Sequence, residues 1–408
     1  MMVAQADRFD VLIVGGGPVG LSMALSLTRF MTGARIGLVD RRPMSVPQDS
    51  RASAIAAGVR RVFETLGVWD AMAEKAQPIT AMNITDSGAG DLARPLYLRF
   101  EGDVAPGEAF AHMVPNRTMA EALLAQLGDG IEVVAPADIV KTDFDSFGAR
   151  LTLGDGRQLQ AALIIGADGA QSSLRQGAGI GVVAHDYGQN GIVTTIEHEL
   201  DHQGVAYEHF RPAGPFASLP LPGRRSSLVW TETRANAAHY LAMDAQQLAL
   251  EIESVMGSSL GSVQIIEKVQ SFPLRMQIAR EMVAPRLALI GDAAHVVHPI
   301  AGQGLNLGLK DVAALAEVVI EAMRLGMDHG GDDVLLRYQS WRRLDTSAMA
   351  MVTDMMNRLF SNDIAPVRAL RDLGLGLVDR AGPLKDAMIR NASGLTGSGP
   401  RLLLGQPI

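Results

Sequence analysis

The run Phe9-Asp10-Val11-Leu12-Ile13-Val14-Gly15-Gly16-Gly17-Pro18-Val19-Gly20 decides how this chain folds. Phe9 to Val14 is a short apolar run with β-branched residues and reads as a buried strand. Gly15-x-Gly17-x-x-Gly20 follows, and Leu21 to Phe30 has helical character. Ala34 to Val39 is strand-like again and ends at Asp40. The whole is a βαβ unit of about thirty residues. In such a unit Gly15 allows the tight turn, Gly17 lets a pyrophosphate approach the backbone, and Gly20 lets the helix pack close to the sheet. Asp40, at the end of the second strand, can accept hydrogen bonds from ribose hydroxyls. The pattern marks a dinucleotide site, and the glycines alone do not decide between NAD and FAD.

Two further segments carry signals downstream. In Gly166-Ala167-Asp168-Gly169-Ala170-Gln171-Ser172-Ser173-Leu174-Arg175, a buried strand runs into a turn and a helix start. Asp168 and the serines there would serve a capped helix equally well. The second segment runs from Leu289-Ile290-Gly291-Asp292-Ala293-Ala294-His295 through His298-Pro299-Ile300-Ala301-Gly302-Gln303-Gly304-Leu305-Asn306-Leu307-Gly308. An apolar strand end delivers Asp292, a Pro/Gly-rich loop follows, and a helix begins. That order places a carboxylate and bare backbone N–H groups at a helix N-terminus, where polar or anionic ligand atoms bind well.

The last segment resembles, almost letter for letter, the flavin-cradling segment of the ubiquinone-biosynthesis hydroxylases of the UbiH/VisC type. These are FAD-dependent aromatic monooxygenases of the para-hydroxybenzoate hydroxylase-like group. The Asp168-Gly169 segment resembles a motif that in single-component flavin monooxygenases lies near the FAD pyrophosphate and has a part in reduced-nicotinamide binding. The resemblance runs from Asp10 to about Phe360. It implies FAD as cofactor, with Asp292 on its ribose or ribityl part and the backbone around Gly302, Gly304, Leu305 and Asn306 near the pyrimidine edge. Pro299 would line the space beside the ring, and Arg51 and Arg117 sit where this family has arginines near FAD. An Arg fork suits a diphosphate, whereas an unassisted Arg is usually a solvated surface residue. NAD(P)H is the electron donor by family analogy; no second strand–GxGxxG–helix unit is evident, so a separate reductase stays open.

Composition narrows the chemistry independently. The 408 residues are 48% hydrophobic and 20% charged, as in a globular protein. The net charge of −8 and the lack of a Lys/Arg stripe argue against nucleic-acid binding. There is no cysteine, which excludes disulfides, iron–sulfur clusters and redox dithiols, so redox chemistry falls to an organic cofactor or a Cys-free metal site. Nine histidines form no HExxH, and no metal site is expected. The first residues lack a signal-peptide pattern and no apolar run reaches about 18 residues. The expectation is a cytoplasmic protein, with peripheral attachment at the inner face of the membrane left open.

The expected fold class is α/β: a Rossmann-like FAD-binding domain with an inserted, mainly antiparallel β-sheet substrate domain and C-terminal helices. Boundaries fall at 1–180 for the first part of the FAD-binding domain and 181–275 for the substrate sheet. The FAD-binding domain returns over 276–330, and 331–408 is a helical region. Residues 51–75 read as helical, with Gly67 lowering the case for one continuous helix. Residues 80–112 suggest strands, 118–127 a helix, and 131–159 a β-meander with a hairpin turn at Asp155-Gly156. Helices are expected at about 244–255, 303–325 and 332–361.

Within the inserted sheet, Val205–Arg211 and Pro215–Pro222 resemble family strands that face the flavin. Tyr207, Ala217, Leu219 and Leu221 are the candidate substrate contacts, and alternation places Ala217, Leu219 and Leu221 on one face. Such a wall suits a prenylated phenol and equally suits a sheet core. His298 and Pro299 are the candidate catalytic residues; His295, His209 and Tyr207 are further candidates for assisting phenol ionisation. Residues 364–378 form an amphipathic candidate that fits a membrane surface, an oligomer contact or ordinary packing.

The resemblance implies a monooxygenase that hydroxylates the ring of a polyprenyl phenol or quinol in ubiquinone biosynthesis, with O2 as co-substrate and a C4a-hydroperoxyflavin as the oxygen donor. A homo-oligomer or a biosynthetic complex is compatible with this. The alternatives are a monooxygenase of a soluble aromatic compound and a flavin-binding subunit without catalysis.

Overall fold

The structure is a computed structural model that describes residues 7–87, 96–101, 103–257, 259–298, 302–360, 394 and 399–408. Its first sheet has a parallel core. Strands Ile131–Val134, Ile36–Val39, Asp7–Val14, Gln158–Gly166 and Leu287–Leu289 lie side by side in that order, all parallel. Val11, Leu12, Ile13, Leu163, Ile164, Ile165 and Leu287 are fully buried, as strands covered on both faces require. Strands Ile139–Phe144 and Ala149–Leu153 extend this sheet as an antiparallel meander, closed by the Asp155-Gly156 turn. The expected meander therefore begins at 139; Ile131–Val134 leaves it to pair with Ile36–Val39, which buries its apolar ends.

Helix Pro18–Phe30 crosses from the first strand to the second, and helix Gln303–Arg324 packs against it. Asn306 to Ile320 is a continuous run of buried residues, so this helix is a central one, apolar or internally paired on all sides. Residues 51–75 depart from the expected helix. Ala52–Ala56 is a strand, helix Ala57–Leu66 follows, and Gly67 ends it in the left-handed conformation at φ 74°. The strand pairs with Ala111–Pro115, a partner that local periodicity cannot reveal.

The second sheet runs His295–Val296, Gln270–Ala279, Val182–His198, Arg225–Thr233, Phe216–Leu221, Val205–Phe210, Ala81–Asp86, Leu96–Glu101. It is antiparallel except where Val205–Phe210 meets Ala81–Asp86 in parallel. Sheet membership thus crosses the boundaries expected at 181 and 275: two strands from 80–101 and one from 295–296 join it. Helices Arg234–Leu241 and Ala245–Met256 cover its outer face, where Ile192, Ile196, Phe216, Leu228 and Trp230 form a core of their own. Its inner face turns toward the first sheet. Ala206, Leu219 and Leu221 pack there with Ala52, Ala54 and Met113, and Phe210 and Ile84 pack with Met356 and Leu359 of helix Asp332–Phe360. Gly302, at the start of helix Gln303–Arg324, approaches Ala54 of this packed layer, its Cβ position 3.4 Å from the Ala54 Cβ.

Candidate active site

Gly15 adopts φ 116°, and a Cβ there would lie 2.2 Å from the Ala167 carbonyl oxygen. A Cβ on Gly20 would lie 1.9 Å from the Gly15 carbonyl oxygen. These two glycines are needed by the fold itself, because backbone meets backbone. Gly17 differs: no atom comes within 4 Å of where its Cβ would stand. It is the N-cap of helix Pro18–Phe30 and supplies no side-chain cap. Helix Gln303–Arg324 begins in the same way, on Gly302 at φ 63° with no side-chain cap, and Gly304 also has open space at its Cβ position. Uncapped helix starts leave N–H groups and a positive dipole end available to a ligand. The two helices pack against each other, so both openings belong to one layer of the molecule.

The acidic residues divide into used and free. Asp40 accepts the Gly16 N–H at 2.6 Å through Oδ2 and the Arg42 N–H at 2.7 Å through Oδ1. It holds the glycine turn, and each oxygen keeps a lone pair for a ribose hydroxyl. Asp168 accepts the Ser173 N–H at 2.8 Å and the Leu174 N–H at 3.3 Å, so its Oδ2 caps a helix start. Its Oδ1 is buried without a partner. Asp292 lies in a short 3-10 turn, is exposed, and receives no hydrogen bond or ion pair among the described residues. Although part of its surface is open, the protein packed around its carboxyl removes enough water to push the pKa up, while His295, Arg275 and Arg51 pull it down. A carboxylate left without internal partners beside cationic neighbours is suited to accept hydroxyls from a ligand.

Of the two arginines, only Arg51 faces this region. It forms a two-pronged pair with Asp49 at 2.9 and 2.8 Å, and its guanidinium stands 5.0 Å from the Phe272 ring centre. Burial pushes the Asp49 carboxyl up, but hydrogen bonds from Arg51 and Asn116 outweigh this and hold its pKa down to about 2. Arg117 is exposed and pairs with Glu121 one turn along its own helix, as a solvated surface residue does. The structure shows no link from Arg117 to the glycine turns.

Asn306 works through its side chain on the protein itself. Its Oδ1 accepts the Ala56 N–H at 3.0 Å, and its Nδ2 donates to the carbonyls of Ala54 at 2.8 Å and Gly302 at 3.2 Å. It staples strand Ala52–Ala56 to the helix start, while Leu305 beside it is half-buried. Beneath lies a charge cluster that sequence reading missed. Asp311 accepts from His295 Nε2 at 2.6 Å, Arg342 Nε at 2.7 Å and the Gly291 N–H at 3.0 Å, and it is fully buried. Burial raises the Asp311 pKa, but His295 and Arg342 outweigh it and hold it below the ordinary range. This cluster fixes the turn that presents Asp292. Arg175 does similar work, donating to the Ala293 carbonyl at 2.7 Å and the Ala170 carbonyl at 2.9 Å, and so ties the second motif to the third.

The register of the second sheet sorts the substrate candidates. Ala217, Leu219 and Leu221 share the inner face, as alternation predicts. Tyr207 lies opposite Ser218, on the outer face, so it does not join them. His209 is also on that outer side, bonded through Nδ1 to Thr85 at 2.7 Å and through Nε2 to Ser87 at 2.9 Å. His295 is committed to Asp311. His298 is fully buried with no hydrogen bond to either ring nitrogen among the described residues, and the Tyr187 ring meets it edge-on at 4.9 Å. Burial lowers its pKa to about 4, so it is a neutral imidazole at physiological pH. Pro299 and residues 364–378 lie outside the described residues. No group of His, Asp and Glu among the described residues could hold a metal.

A parallel sheet with two uncapped helix starts, roofed by an antiparallel sheet with an apolar inner face, is the build of a flavoprotein monooxygenase of the aromatic-hydroxylase class. The chain belongs to the FAD binding domain family, whose model matches residues 8–353. It is 44% identical to the ubiquinone hydroxylase UbiL of Rhodospirillum rubrum, over 100% of this chain and 95% of that protein. It is 35% identical to the 3-demethoxyubiquinol 3-hydroxylase of Escherichia coli, over 95% and 98% of the two chains. The crystal structure of p-nitrophenol 4-monooxygenase PnpA from Pseudomonas putida superposes with a TM-score of 0.78 at 17% identity, covering 96% of this chain and all of that one. That last likeness is one of fold.

Proposed function

We propose that this protein hydroxylates the aromatic ring of a polyprenyl phenol or quinol intermediate of ubiquinone biosynthesis, using FAD and O2. The observation that carries the reading is the apolar inner face of Ala206, Leu219 and Leu221, which packs with Ala54, whose Cβ lies 3.4 Å from the Cβ position of Gly302 at the helix start. The full-length likeness to two ubiquinone-pathway hydroxylases supports it. The residues fit FAD: the space beside Gly17, the uncapped helix starts and Asp292, without a partner among the described residues, are what a dinucleotide with a polyhydroxyl chain requires. The N-terminus of helix Pro18–Phe30 would hold the pyrophosphate, Asp40 the ribose and Asp292 the ribityl hydroxyls. The start of helix Gln303–Arg324 would face the electron-rich edge of the ring system. Arg51 would stand by with its charge balanced by Asp49.

FAD in this class supplies the activation of O2 for transfer of one oxygen atom to an electron-rich ring carbon. The chain's own residues orient the substrate and exclude water. A prenyl tail would reach the apolar inner face at Leu219, the half-buried member of that group. Pro299 and the neutral His298 complete the proposal at the ring itself. A polyprenyl phenol partitions into a bilayer, so the proposal includes peripheral contact with a membrane surface. Helix Asp332–Phe360 exposes Leu344, Met351 and Met355, and no helix among the described residues is long and apolar enough to cross a membrane.

The test is complementation. Strains lacking the ubiquinone-ring hydroxylation steps, one at a time, receive this gene and are analysed for ubiquinone. Restoration of one step assigns the pathway and the ring position together. Rescue of none, with the purified protein still carrying FAD, would overturn the quinone assignment.

A further inference from the structure

Glu208 has no counterpart among the residues discussed so far. It sits in strand Val205–Phe210, directly opposite Ala217 and beside Ile84. That register puts it on the inner face, between the apolar group of Ala206, Leu219 and Leu221 and the group of Ile84, Leu98 and Phe210. It is 5% exposed, and no hydrogen bond or ion pair reaches it among the described residues. A carboxyl buried in an apolar wall without a partner is costly to keep. Such a group is retained at sites where a ligand supplies the missing partner.

We propose that Glu208 accepts the hydrogen bond of the substrate's ring hydroxyl and takes up its proton during hydroxylation. The inference rests on the phenol reading above and names the residue that recognises the phenol. As one O2-derived oxygen is delivered to the ring carbon as an OH+ equivalent, the O–O bond breaks, its electron pair leaves with the other oxygen, and electron demand in the ring makes the hydroxyl strongly acidic. The O–H bond breaks, its electron pair forms the ring C=O, and the proton passes to the Glu208 carboxylate. The new tetrahedral carbon then loses its proton to water. That C–H pair restores the aromatic ring, and the oxygen takes its proton back from Glu208. Atoms and charge balance once the proton lost to water reaches the departing oxygen, so one carboxylate and water serve the whole exchange.

The surroundings leave Glu208 to titrate on its own. On the inner face Asp86 lies one step along the neighbouring strand, beside Phe210, and Arg225 lies opposite Leu221 at the far end. Of the charged residues near Met356 and Leu359 on helix Asp332–Phe360, Asp354 and Arg358 pair with each other. Arg51, against Phe272, is paired with Asp49. Desolvation alone raises the Glu208 pKa, to about 7. The carboxyl therefore changes charge across the neutral range.

The experiment uses the FAD-loaded full chain and 2-geranylphenol carrying 13C at the hydroxyl-bearing carbon. With the wild type, the bound carbon resonance should move downfield as pH rises through about 7, because an ionised Glu208 draws the phenol proton toward itself. With Glu208→Gln the resonance should stay flat over that range, FAD content should be unchanged, and kcat should fall about 100-fold or more, the scale of a lost general base. Glu208→Asp should recover part of the inflection. A Glu208→Gln protein that keeps the inflection and kcat would overturn the role of Glu208 while leaving the phenol reading intact. A wild type that does not bind the labelled phenol would overturn the phenol reading, and this inference with it.

Discussion

Asn306 holds Ala56 from 250 positions further along the chain: its Oδ1 accepts the Ala56 N–H at 3.0 Å, in a buried setting. The same amide donates to Ala54 and Gly302, so one side chain fixes a strand and a helix start together. Asn306→Ala strands the Ala56 N–H and two carbonyls. It should cost roughly 2–4 kcal/mol, since buried groups left unsatisfied carry their full desolvation penalty. Urea unfolding of the FAD-free protein measures this, and an unchanged midpoint would show the staple to be idle.

The glycines of the first turn should separate into two kinds. Gly20→Ala forces a methyl into the Gly15 carbonyl oxygen, where neither backbone can yield, and should destabilise by about 3 kcal/mol or more. Gly17→Val meets open space at an ordinary φ of −77°. The FAD-free variant should therefore unfold within about 1 kcal/mol of the wild type, yet purify colourless. Flavin absorbance of the purified proteins decides, and a fully yellow Gly17→Val variant would remove the pyrophosphate from that position.

Asp292 makes no hydrogen bond among the described residues, so Asp292→Ala should leave the stability of the FAD-free protein nearly unchanged. Its loss should appear in FAD affinity instead. Removing a charged acceptor from a ligand hydroxyl costs about 1.5–3 kcal/mol, or roughly 10- to 150-fold in Kd. Titration of the FAD-free protein with FAD, followed by flavin fluorescence, gives the number; equal affinities would take Asp292 out of the binding set.

Glu208 links stability to pH. Its pKa rises on folding from an ordinary 4.5 to about 7, so the folded state binds the proton more tightly. Its own contribution to stability should be full below about pH 4.5, fall as pH rises toward 7, and level off above, opposite in sign to that of the depressed carboxylates Asp49 and Asp311. Glu208→Gln removes this dependence and should be more stable than the wild type at pH 8, by about 3 kcal/mol, with little difference near pH 4.5. Parallel denaturant melts at the two pH values measure it, and a variant less stable at pH 8 would mean the carboxylate has a hidden partner.

The first βαβ unit was legible because its signals are local: a strand, three glycines and an acid in register. The same holds for helices Gln303–Arg324 and Ala245–Met256, the latter capped by Asp244. Ala52–Ala56 escaped because its partner strand lies near residue 113, and short apolar runs do not declare a period. Strands Ala81–Asp86 and Leu96–Glu101 escaped assignment to the second sheet for the same reason. At the site, glycine roles followed from the motif, but Asn306 and Asp168 proved to spend side-chain atoms on their own backbone. Tyr207 and Glu208 are neighbours of opposite facing, and only the register with Ala217 and Ser218 tells which looks inward. Asp311 and Arg342 carry no local signal in the sequence; only the packing of helix Gln303–Arg324 against helix Asp332–Phe360 buries them together.

The Asn306 staple also sets an order of events during synthesis. Strand Ala52–Ala56 leaves the ribosome long before the residue that clasps it. At roughly 5–20 residues per second, that wait is on the order of ten to fifty seconds. Until then the nascent chain holds the first glycine turn but not the start of helix Gln303–Arg324, the two places proposed above for the ends of the cofactor. Flavin loading is therefore a late step, open to competition from chaperones and proteases, and cofactor supply should govern how much of this protein accumulates.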